Sequence, residues 1–262
     1  MLNQERLAKR LPCRGMGYPL HFHTTLPSTN DLAELLALEG GVHGTVVVAD
    51  EQTAGRGRLE RRWETAAGTA LAFSLILRPE DSSVQEMLPY SGLGAVAVCG
   101  ALERHGLKPA IKWPNDIHLR GRKAAGILAE LSWREAAVDF IILGIGVNVH
   151  PGSVPDPSVL RFPGTCVAWE TAMPVSRDDL LREILCGVGK WLDAGPQRWM
   201  KAWERRLAYR GEEVSVELPG GRVCGTIKGL DPSGRLLLQR GSKVELIGAG
   251  EIHLEPVDRP KE

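Results

Sequence analysis

The chain has 262 residues, of which 43% are hydrophobic and 24% are charged, and this length suits one large domain or one domain with a small companion. Its 32 basic and 32 acidic residues cancel, so the overall charge favours neither nucleic acid nor a membrane surface as a partner. The sequence has no apolar run near the roughly 20 residues of a membrane helix and no secretory signal, so we expect a cytoplasmic protein.

Five cysteines are spread through the chain, and an odd number without a C-x-x-C pair favours reduced thiols and argues against a zinc site. They are Cys13, Cys99, Cys166, Cys186 and Cys224. His21 and His23 alternate on a predicted strand, and we expect no metal there.

The first predicted strand, residues 20–23, leads into a predicted helix that begins near Ser28. Ser28 with Asp31 three residues later resembles a capping box. The apolar face of this helix is predicted to consist of Leu32, Leu35 and Leu36. The small polar side chains at 28–30 suit either ordinary capping or the binding of a polar ligand group.

A loop rich in glycine and arginine follows the next predicted strand, the β-branched run at residues 45–49. Glycine lets a backbone approach a ligand closely, and arginine offers a permanently charged fork for phosphate or carboxylate. A solvated basic turn is the alternative interpretation. The position directly after a buried strand favours an anion-binding loop built from Gly55, Arg56, Gly57, Arg58, Arg61, Arg62 and Trp63.

Residues 69–77 carry apolar side chains on both faces, which predicts a strand covered on both sides, and residues 84–105 predict a helix. A later strand, residues 110–112, ends at Lys112, just before Pro114 stops the pairing. A buried lysine keeps its charge only with an anionic partner. That partner is either Asp116 or a ligand phosphate or carboxylate, and the pattern leaves both open.

Two further strands are predicted at residues 124–131 and 139–149, arranged as a hairpin. The second contains Gly144, Gly146 and Asn148. Glycines inside a strand more often indicate a close backbone approach than a dinucleotide site, since the third glycine and the following helix are missing. A buried asparagine needs hydrogen-bond partners.

Helices are predicted from Ser176 and from Gln197, and after residue 209 short strands alternate with turns. This change predicts two domains, residues 1–209 and 210–262, of which the second is a small β-barrel-like unit.

Four segments together resemble the biotin protein ligase family, and the resemblance covers about residues 20–255 in the right order. They are Ser28-Thr29-Asn30, Gly55-Arg56-Gly57-Arg58, Lys112-Trp113-Pro114-Asn115-Asp116 and Gly144-Ile145-Gly146-Val147-Asn148, with Arg122 to Leu128 matching the family's hairpin. The resemblance implies an α+β fold, with a mixed β-sheet flanked by helices and a C-terminal SH3-like β-barrel.

The resemblance also implies a reaction. Biotin and ATP form biotinyl-5′-AMP and pyrophosphate, and biotin then passes to a lysine of a biotin carboxyl carrier protein. Mg²⁺ is implied by the nucleotide chemistry rather than by a cluster of ligands. ATP is held without a P-loop, since no such motif is present.

Site roles follow from the matching positions. Lys112 and Arg58 are the catalytic cations. Biotin is expected to contact Ser28, Thr29, Asn30, Gln52, Arg56, Gly57, Arg58, Lys112, Ile117, Gly144 and Gly146. ATP and the adenylate are expected to contact Gly55, Arg56, Arg58, Arg61, Trp63, Lys112 and Asn148.

The loop departs from the family pattern at Glu60, where a glycine is usual. A carboxylate in an anion-binding loop should face outward or pair with Arg61 or Arg62. The roles of those two arginines are therefore open.

Three alternatives accompany this reading: a lipoate or octanoate ligase of the same superfamily, a non-catalytic biotin-binding sensor, and a generic α/β domain with a basic loop. Some family members carry an N-terminal DNA-binding domain, but only 27 residues precede Ser28 here, so we expect no nucleic-acid partner. A homodimer formed by sheet pairing is common in the family, and the sequence leaves the oligomeric state open.

Overall fold

The structure is a computed structural model that describes residues 2–79, 88–135, 137–156, 158, 163–218 and 220–254. A seven-stranded sheet forms its larger part, in the order β1-β2-β3-β7-β6-β5-β4. The strands are β1 (Leu20–Leu26), β2 (Val46–Gln52), β3 (Ala70–Leu77), β4 (Pro109–Lys112), β5 (Asp116–Leu119), β6 (Arg122–Arg134) and β7 (Ala137–Asn148). Since β1 and β2 run parallel and the other neighbours antiparallel, the sheet is mixed, as predicted.

Helices cover both faces of this sheet. They are α1 (Gln4–Arg10), α2 (Thr29–Leu38), α3 (Leu88–Arg104), α4 (Val167–Glu170), α5 (Arg177–Ala194) and α6 (Pro196–Arg205). On β3, Phe73 belongs to the large core under α3 and α5, whereas Ile76 belongs to the smaller core under α2. The prediction that this strand is covered on both sides is therefore confirmed.

Helix α2 begins as predicted but buries a different face. Ser28 is its N-cap and accepts a hydrogen bond from the backbone N–H of Asp31. Leu32 and Leu36 pack on the smaller core, while Leu35 is 52% exposed. Ala33 and Ala37 complete the buried stripe instead, because the helix lies close to the sheet and small side chains fit there.

Other predicted elements differ in extent. The segment after Pro114 forms a short strand, β5, which pairs with β4 on one side and β6 on the other. Sequence reasoning missed this strand, because four residues give too little periodicity to detect, and it missed the four-residue α4 for the same reason. The predicted helix at 84–105 is observed from Leu88, and its first four residues lie outside the described part of the chain.

A second, five-stranded antiparallel sheet follows, in the order β11-β10-β9-β8-β12. Its strands are β8 (Glu213–Leu218), β9 (Gly221–Leu230), β10 (Leu236–Arg240), β11 (Lys243–Ile247) and β12 (Glu251–Leu254). The predicted fold class is confirmed, and the boundary between residues 209 and 210 stays a prediction. Trp113 is buried and donates its indole N–H to the carbonyl of Gly234 at 2.9 Å, which attaches the β4–β5 turn to this smaller sheet.

The N-terminal segment is attached to α5. Arg6 pairs with Asp178, Arg10 pairs with Asp179 at 2.5 Å, and Cys13 forms a disulfide with Cys186. The prediction of reduced thiols is therefore wrong for these two cysteines. Residues 173 positions apart meet only through tertiary packing, which spacing along the chain cannot reveal. Among the described helices, none is long and apolar enough to cross a membrane.

Candidate active site

A cavity of about 530 Å³ opens where the N-terminus of α2, the arginine loop, the β4–β5 turn and the glycines of β6 and β7 meet. Thirteen predicted site residues line it, although they come from four separate stretches of the chain. They are Ser28, Thr29, Asn30, Gln52, Arg56, Gly57, Arg58, Arg61, Trp63, Lys112, Gly144, Gly146 and Asn148.

One end of the cavity is a network of buried polar side chains. Gln52 Oε1 accepts hydrogen bonds from the backbone N–H and the hydroxyl of Thr29, at 2.8 and 3.1 Å. Ser74, fully buried on β3, donates to Asn30 Oδ1 at 2.5 Å and lies 2.8 Å from the hydroxyl of Thr29. Each polar group is fixed by another, so this end is organised before any ligand arrives.

Gly144 on β7 makes this arrangement possible. A Cβ at this position would overlap the amide of Asn30. On its other side the amide donates from Nδ2 to Glu130 at 2.5 Å. The glycine is therefore required for close packing, as the sequence predicted, and the group that approaches it is Asn30.

Lys112 also lines the cavity and is only 4% exposed. Burial lowers the pKa of Lys112, and the nearby carboxylate of Asp116 opposes that shift. Asp116 lies opposite it in the β4–β5 ladder and also pairs with Lys123 at 2.7 Å. Asp116 thus faces two lysines, and the carboxylate of Glu251 also favours the charged form of Lys112. An anionic ligand in the cavity would favour the charged lysine further.

His118 is a buried neighbour that contributes no charge. It follows on β5 after Asp116, and burial lowers its pKa to about 4. The imidazole is therefore neutral near pH 7, so the positive charge of the cluster comes from lysine and arginine.

Arg58 also reaches the interior. Burial lowers its pKa, yet a guanidinium remains charged at any physiological pH. Its Nη1 lies 3.4 Å from Asn115 Oδ1, and Asn115 in turn donates from Nδ2 to the carbonyl of Ile127 at 2.7 Å. Asn115 therefore orients this arginine from a fixed position.

Arg56 is held by two carboxylates. It contacts Asp31 at 2.6 Å and Glu130 at 2.9 Å, so it attaches the loop to α2 and β6. These ion pairs order the loop. Its contact with phosphate stays a prediction, since these carboxylates are already its partners.

Arg61 and Arg62, whose roles the sequence left open, point to different partners. Arg61 forms a bidentate salt bridge with Glu251 of β12, with N–O distances of 2.5 and 2.6 Å. Arg62 donates to the carbonyl of Thr53 at 2.7 Å and so fastens the base of the loop. The side chain of Glu60 lies outside the described part of the chain.

Trp63 lies across the glycines of β6 and β7 at the other end of the cavity. A Cβ on Gly146 would overlap its indole ring, and a Cβ on Gly126 would lie 3.4 Å from it. Lys123 Nζ is 5.7 Å from a ring centroid of the indole. Asn148, two residues after Gly146 on the same face of β7, donates from Nδ2 to the carbonyl of Thr165 at 3.1 Å.

Two predicted residues lie outside the cavity lining. Ile117 alternates with Asp116 on β5, so its side chain enters the core, where it is fully buried. Gly55 packs behind the loop, where a Cβ would overlap the carbonyl of Trp63 and come within 2.7 Å of the Gln52 amide. Their predicted contacts with biotin and ATP stay predictions.

Several lining or supporting residues were missed by sequence reasoning. Ser74 offered a usable signal, because it is a lone hydroxyl in an apolar strand that is buried throughout. Lys123 and Glu251 offered none, since their positions depend on the hairpin and on the second sheet.

One group of side chains among the described residues could contact a metal, namely Glu217, Glu251 and His253. It suits a resident Mg²⁺ poorly, because Mg²⁺ prefers six oxygen ligands and Glu251 already pairs with Arg61. The requirement for Mg²⁺ stays a prediction.

Known proteins with similar sequences and structures include biotin ligases. Residues 22–148 match the sequence model of the biotin/lipoate A/B protein ligase family, and residues 210–254 match that of the biotin protein ligase C-terminal domain. The biotin–[acetyl-CoA-carboxylase] ligase of Mycobacterium tuberculosis is 35% identical, over 96% of this chain and 95% of the relative. The bifunctional ligase/repressor BirA of Bacillus subtilis is 34% identical, over 97% of this chain and 79% of the relative.

A solved structure shares the fold. The biotin protein ligase from Aquifex aeolicus in complex with biotin and ATP superimposes with a TM-score of 0.74 and 29% identity, covering 90% of this chain and 98% of that one. The chain therefore belongs to the biotin/lipoate A/B protein ligase family. Within that family it is a biotin protein ligase, and thus an enzyme, as its motifs predicted.

Proposed function

We propose that the protein joins biotin to ATP, giving biotinyl-5′-AMP and pyrophosphate, and then transfers the biotinyl group to a lysine of a biotin carboxyl carrier domain. One observation carries the proposal. A buried cation, Lys112, and a half-buried one, Arg58, line a cavity that also contains a fixed polar network and the indole of Trp63.

The first step must bring a carboxylate against a phosphate. Two unit negative charges about 4 Å apart repel by about 4 kcal/mol at an effective dielectric constant of about 20. A cation placed between them removes this barrier and stabilises the charge that develops as pyrophosphate leaves. Lys112 takes this central role, and Arg58 adds a second cation from the loop.

Biotin occupies the polar end. Its ureido ring needs both hydrogen-bond donors and acceptors, and the network of Ser28, Thr29, Asn30 and Gln52 supplies both. Gly144 keeps this end close to β7, and Gly57 forms part of the wall. The carboxylate of biotin then points toward Lys112.

The nucleotide occupies the aromatic end. Its base stacks on Trp63 and meets Asn148 at its edge, while the phosphates lie toward Lys112, Arg58 and Arg61. Mg²⁺ arrives bound to the triphosphate. Arg56 contributes by ordering the loop, as its two carboxylate contacts indicate.

In the second step, the ε-amine of the acceptor lysine attacks the acyl carbon of the adenylate. The bond from that carbon to the phosphate oxygen breaks, and AMP leaves with the electron pair. Lys112 remains beside the phosphate and stabilises its growing charge. We also propose that the reaction takes place in the cytoplasm and that the enzyme forms a homodimer, as the family resemblance implies.

Incubation of the purified protein with biotin, ATP and Mg²⁺, without a carrier, tests the first step. We expect mass spectrometry to detect biotinyl-5′-AMP and pyrophosphate. Adenylate from lipoate or octanoate but not from biotin would favour a ligase for those acids. Biotin binding without any adenylate would favour a sensor and overturn the proposed catalysis.

A further inference from the structure

Behind Asn148 lies a buried network that the reaction described above does not use. The carbonyl of Thr165 accepts the hydrogen bond from Asn148 Nδ2. The hydroxyl of the same threonine donates to Glu170 Oε1 at 2.6 Å, and Arg122 donates to that oxygen from the other side at 2.6 Å. Thr165 is fully buried, and the Glu170 side chain is 1% exposed.

The backbone holds the same threonine in place. Its N–H donates to the carbonyl of Lys123 at 2.8 Å, while the N–H of Lys123 donates to the carbonyl of Pro163 at 2.9 Å. Thr165 is thus fixed through its N–H, its hydroxyl and its carbonyl, and it joins β6 to the end of β7. Burial of a carboxylate costs desolvation free energy, and the bonds from threonine and arginine offset that cost. Such a network therefore suggests that the position of Thr165 matters for function.

This arrangement decides which way the amide of Asn148 points. One N–H of Nδ2 donates to Thr165, so the amide cannot be turned over without losing this bond, and Oδ1 is held as its acceptor atom; no described residue donates to Oδ1. The second N–H of Nδ2 stays available to a ligand at the neighbouring position. Oδ1 can only accept a hydrogen bond. It therefore suits a base with an exocyclic amine at the edge that it meets, and it opposes a base with a carbonyl there, since two acceptors repel.

We propose that Thr165 and Glu170 are positioning residues that set the nucleobase specificity of the enzyme. They hold the Asn148 amide so that it selects a 6-aminopurine over a 6-oxopurine. This inference rests on the proposed placement of the nucleotide base at Trp63 and Asn148. It assigns no contact with the nucleotide to Thr165 or Glu170 themselves.

Thr165→Val is the central variant, because it removes the hydroxyl that Glu170 holds and keeps the shape of the side chain. Thr165→Ser retains the hydroxyl and should behave as the wild type does. Thr171→Val is a matched control: its hydroxyl donates to the carbonyl of His105 at 3.1 Å, a few residues further along and away from the cavity. Glu170→Gln tests the charge without changing the shape.

The measurement is biotin-dependent exchange of pyrophosphate into ATP or inosine triphosphate, with KM for each nucleotide and for biotin. We expect Thr165→Val to lower the preference for ATP over inosine triphosphate about tenfold, the fold-change of roughly one neutral hydrogen bond. KM for biotin should remain near wild type. The melting temperature should fall, because Glu170 loses one of its hydrogen bonds, so the nucleotide preference and not stability is the deciding result. Glu170→Gln should lower the preference less, since glutamine can still accept from Thr165.

An unchanged preference in Thr165→Val would overturn the proposal. So would a parallel loss of biotin and ATP affinity, because that result describes a merely structural role. Direct calorimetric titration with each nucleotide repeats the comparison without catalysis. Wild-type protein that binds ATP in preference to inosine triphosphate but exchanges no pyrophosphate would contradict the proposed function and leave this inference standing.

Discussion

The two ends of the cavity are built on different physical principles. At the polar end, Thr29, Gln52 and Ser74 are tied by hydrogen bonds between buried or half-buried groups. At the loop end, Arg56 and Arg61 are held by ion pairs to carboxylates, and both arginine side chains are more than 40% exposed. Buried neutral networks are rigid, whereas exposed ion pairs are weak and exchange readily.

The two ends differ in rigidity because the ligands proposed for them differ in charge. In the proposed placement, the polar end binds the neutral ureido ring through hydrogen-bonding groups that are already in position. The loop end there meets a highly charged nucleotide and later releases pyrophosphate, so contacts that exchange readily are an advantage. Leu59, 67% exposed with a φ of 56° at the loop's tip, is consistent with a segment that is not closely packed.

The largest loss of activity is expected from removal of the Lys112 side chain. Lys112→Ala should lower the rate of adenylate formation about 10²- to 10³-fold, the range seen when one charge-stabilising donor is removed. Biotin should still bind at the polar end. Single-turnover mass spectrometry and calorimetry check the two statements, with exposed Lys108→Ala as the matched control. A near-normal rate would show that Lys112 is not the bridging cation.

A methyl group added to Gly146 should weaken ATP binding at the aromatic end and leave biotin binding unchanged. Gly146→Ala would force Trp63 to move, and relief of such an overlap commonly costs about 1–3 kcal/mol. We expect ATP affinity to fall about 10- to 100-fold while biotin affinity stays within about twofold. Gly100→Ala on α3, where a Cβ meets nothing within 4 Å, serves as control in the same titrations.

Gly144→Ala, two residues earlier on β7, should weaken biotin binding and leave ATP binding unaffected. Gly144→Ala would displace Asn30 and disturb the polar network, so biotin affinity should fall about 10- to 100-fold. ATP binding to the biotin-free protein should remain close to normal. Equal losses for both ligands in both variants would mean that the two ends are not separate units.

Activity should also decline on the alkaline side. Lys112 must be protonated to bridge two anions, and burial lowers its pKa below the ordinary lysine value of 10.5. Positive charge is therefore lost at a lower pH than for an exposed lysine. We expect kcat/KM for ATP to fall with an apparent pKa below 10.5, and Lys112→Arg to remove that fall. His118, with its pKa near 4, should add no transition between pH 6 and 9.

The smallest effect is expected at the exposed ion pairs. Asp31→Asn removes one of the two carboxylates that hold Arg56, and such a pair is worth about 0.2–1 kcal/mol. We expect KM for ATP to change about two- to threefold, and less at high salt. A tenfold or larger change that persists in salt would show that this end is as rigid as the other.

Local sequence predicted most of the site. The arginine loop and the segment from Lys112 to Asp116 are continuous in the chain, so their chemistry can be read directly. The fold class followed from the resemblance and from short strands after residue 209. Contacts between distant parts of the chain were not predicted. The disulfide of Cys13 with Cys186 and the exposure of Leu35 differ from the prediction, and the close approach at Gly144 was predicted without its partner, Asn30. Each of these depends on how distant elements pack, and single-sequence periodicity does not contain that information.

The pair between Arg61 and Glu251 connects the loop to the smaller C-terminal sheet. If a triphosphate draws Arg61 away, Glu251 loses this contact, so nucleotide binding and the position of that sheet are coupled. Such a coupling is reciprocal. A change in the position of the smaller sheet would then also alter the affinity for the nucleotide.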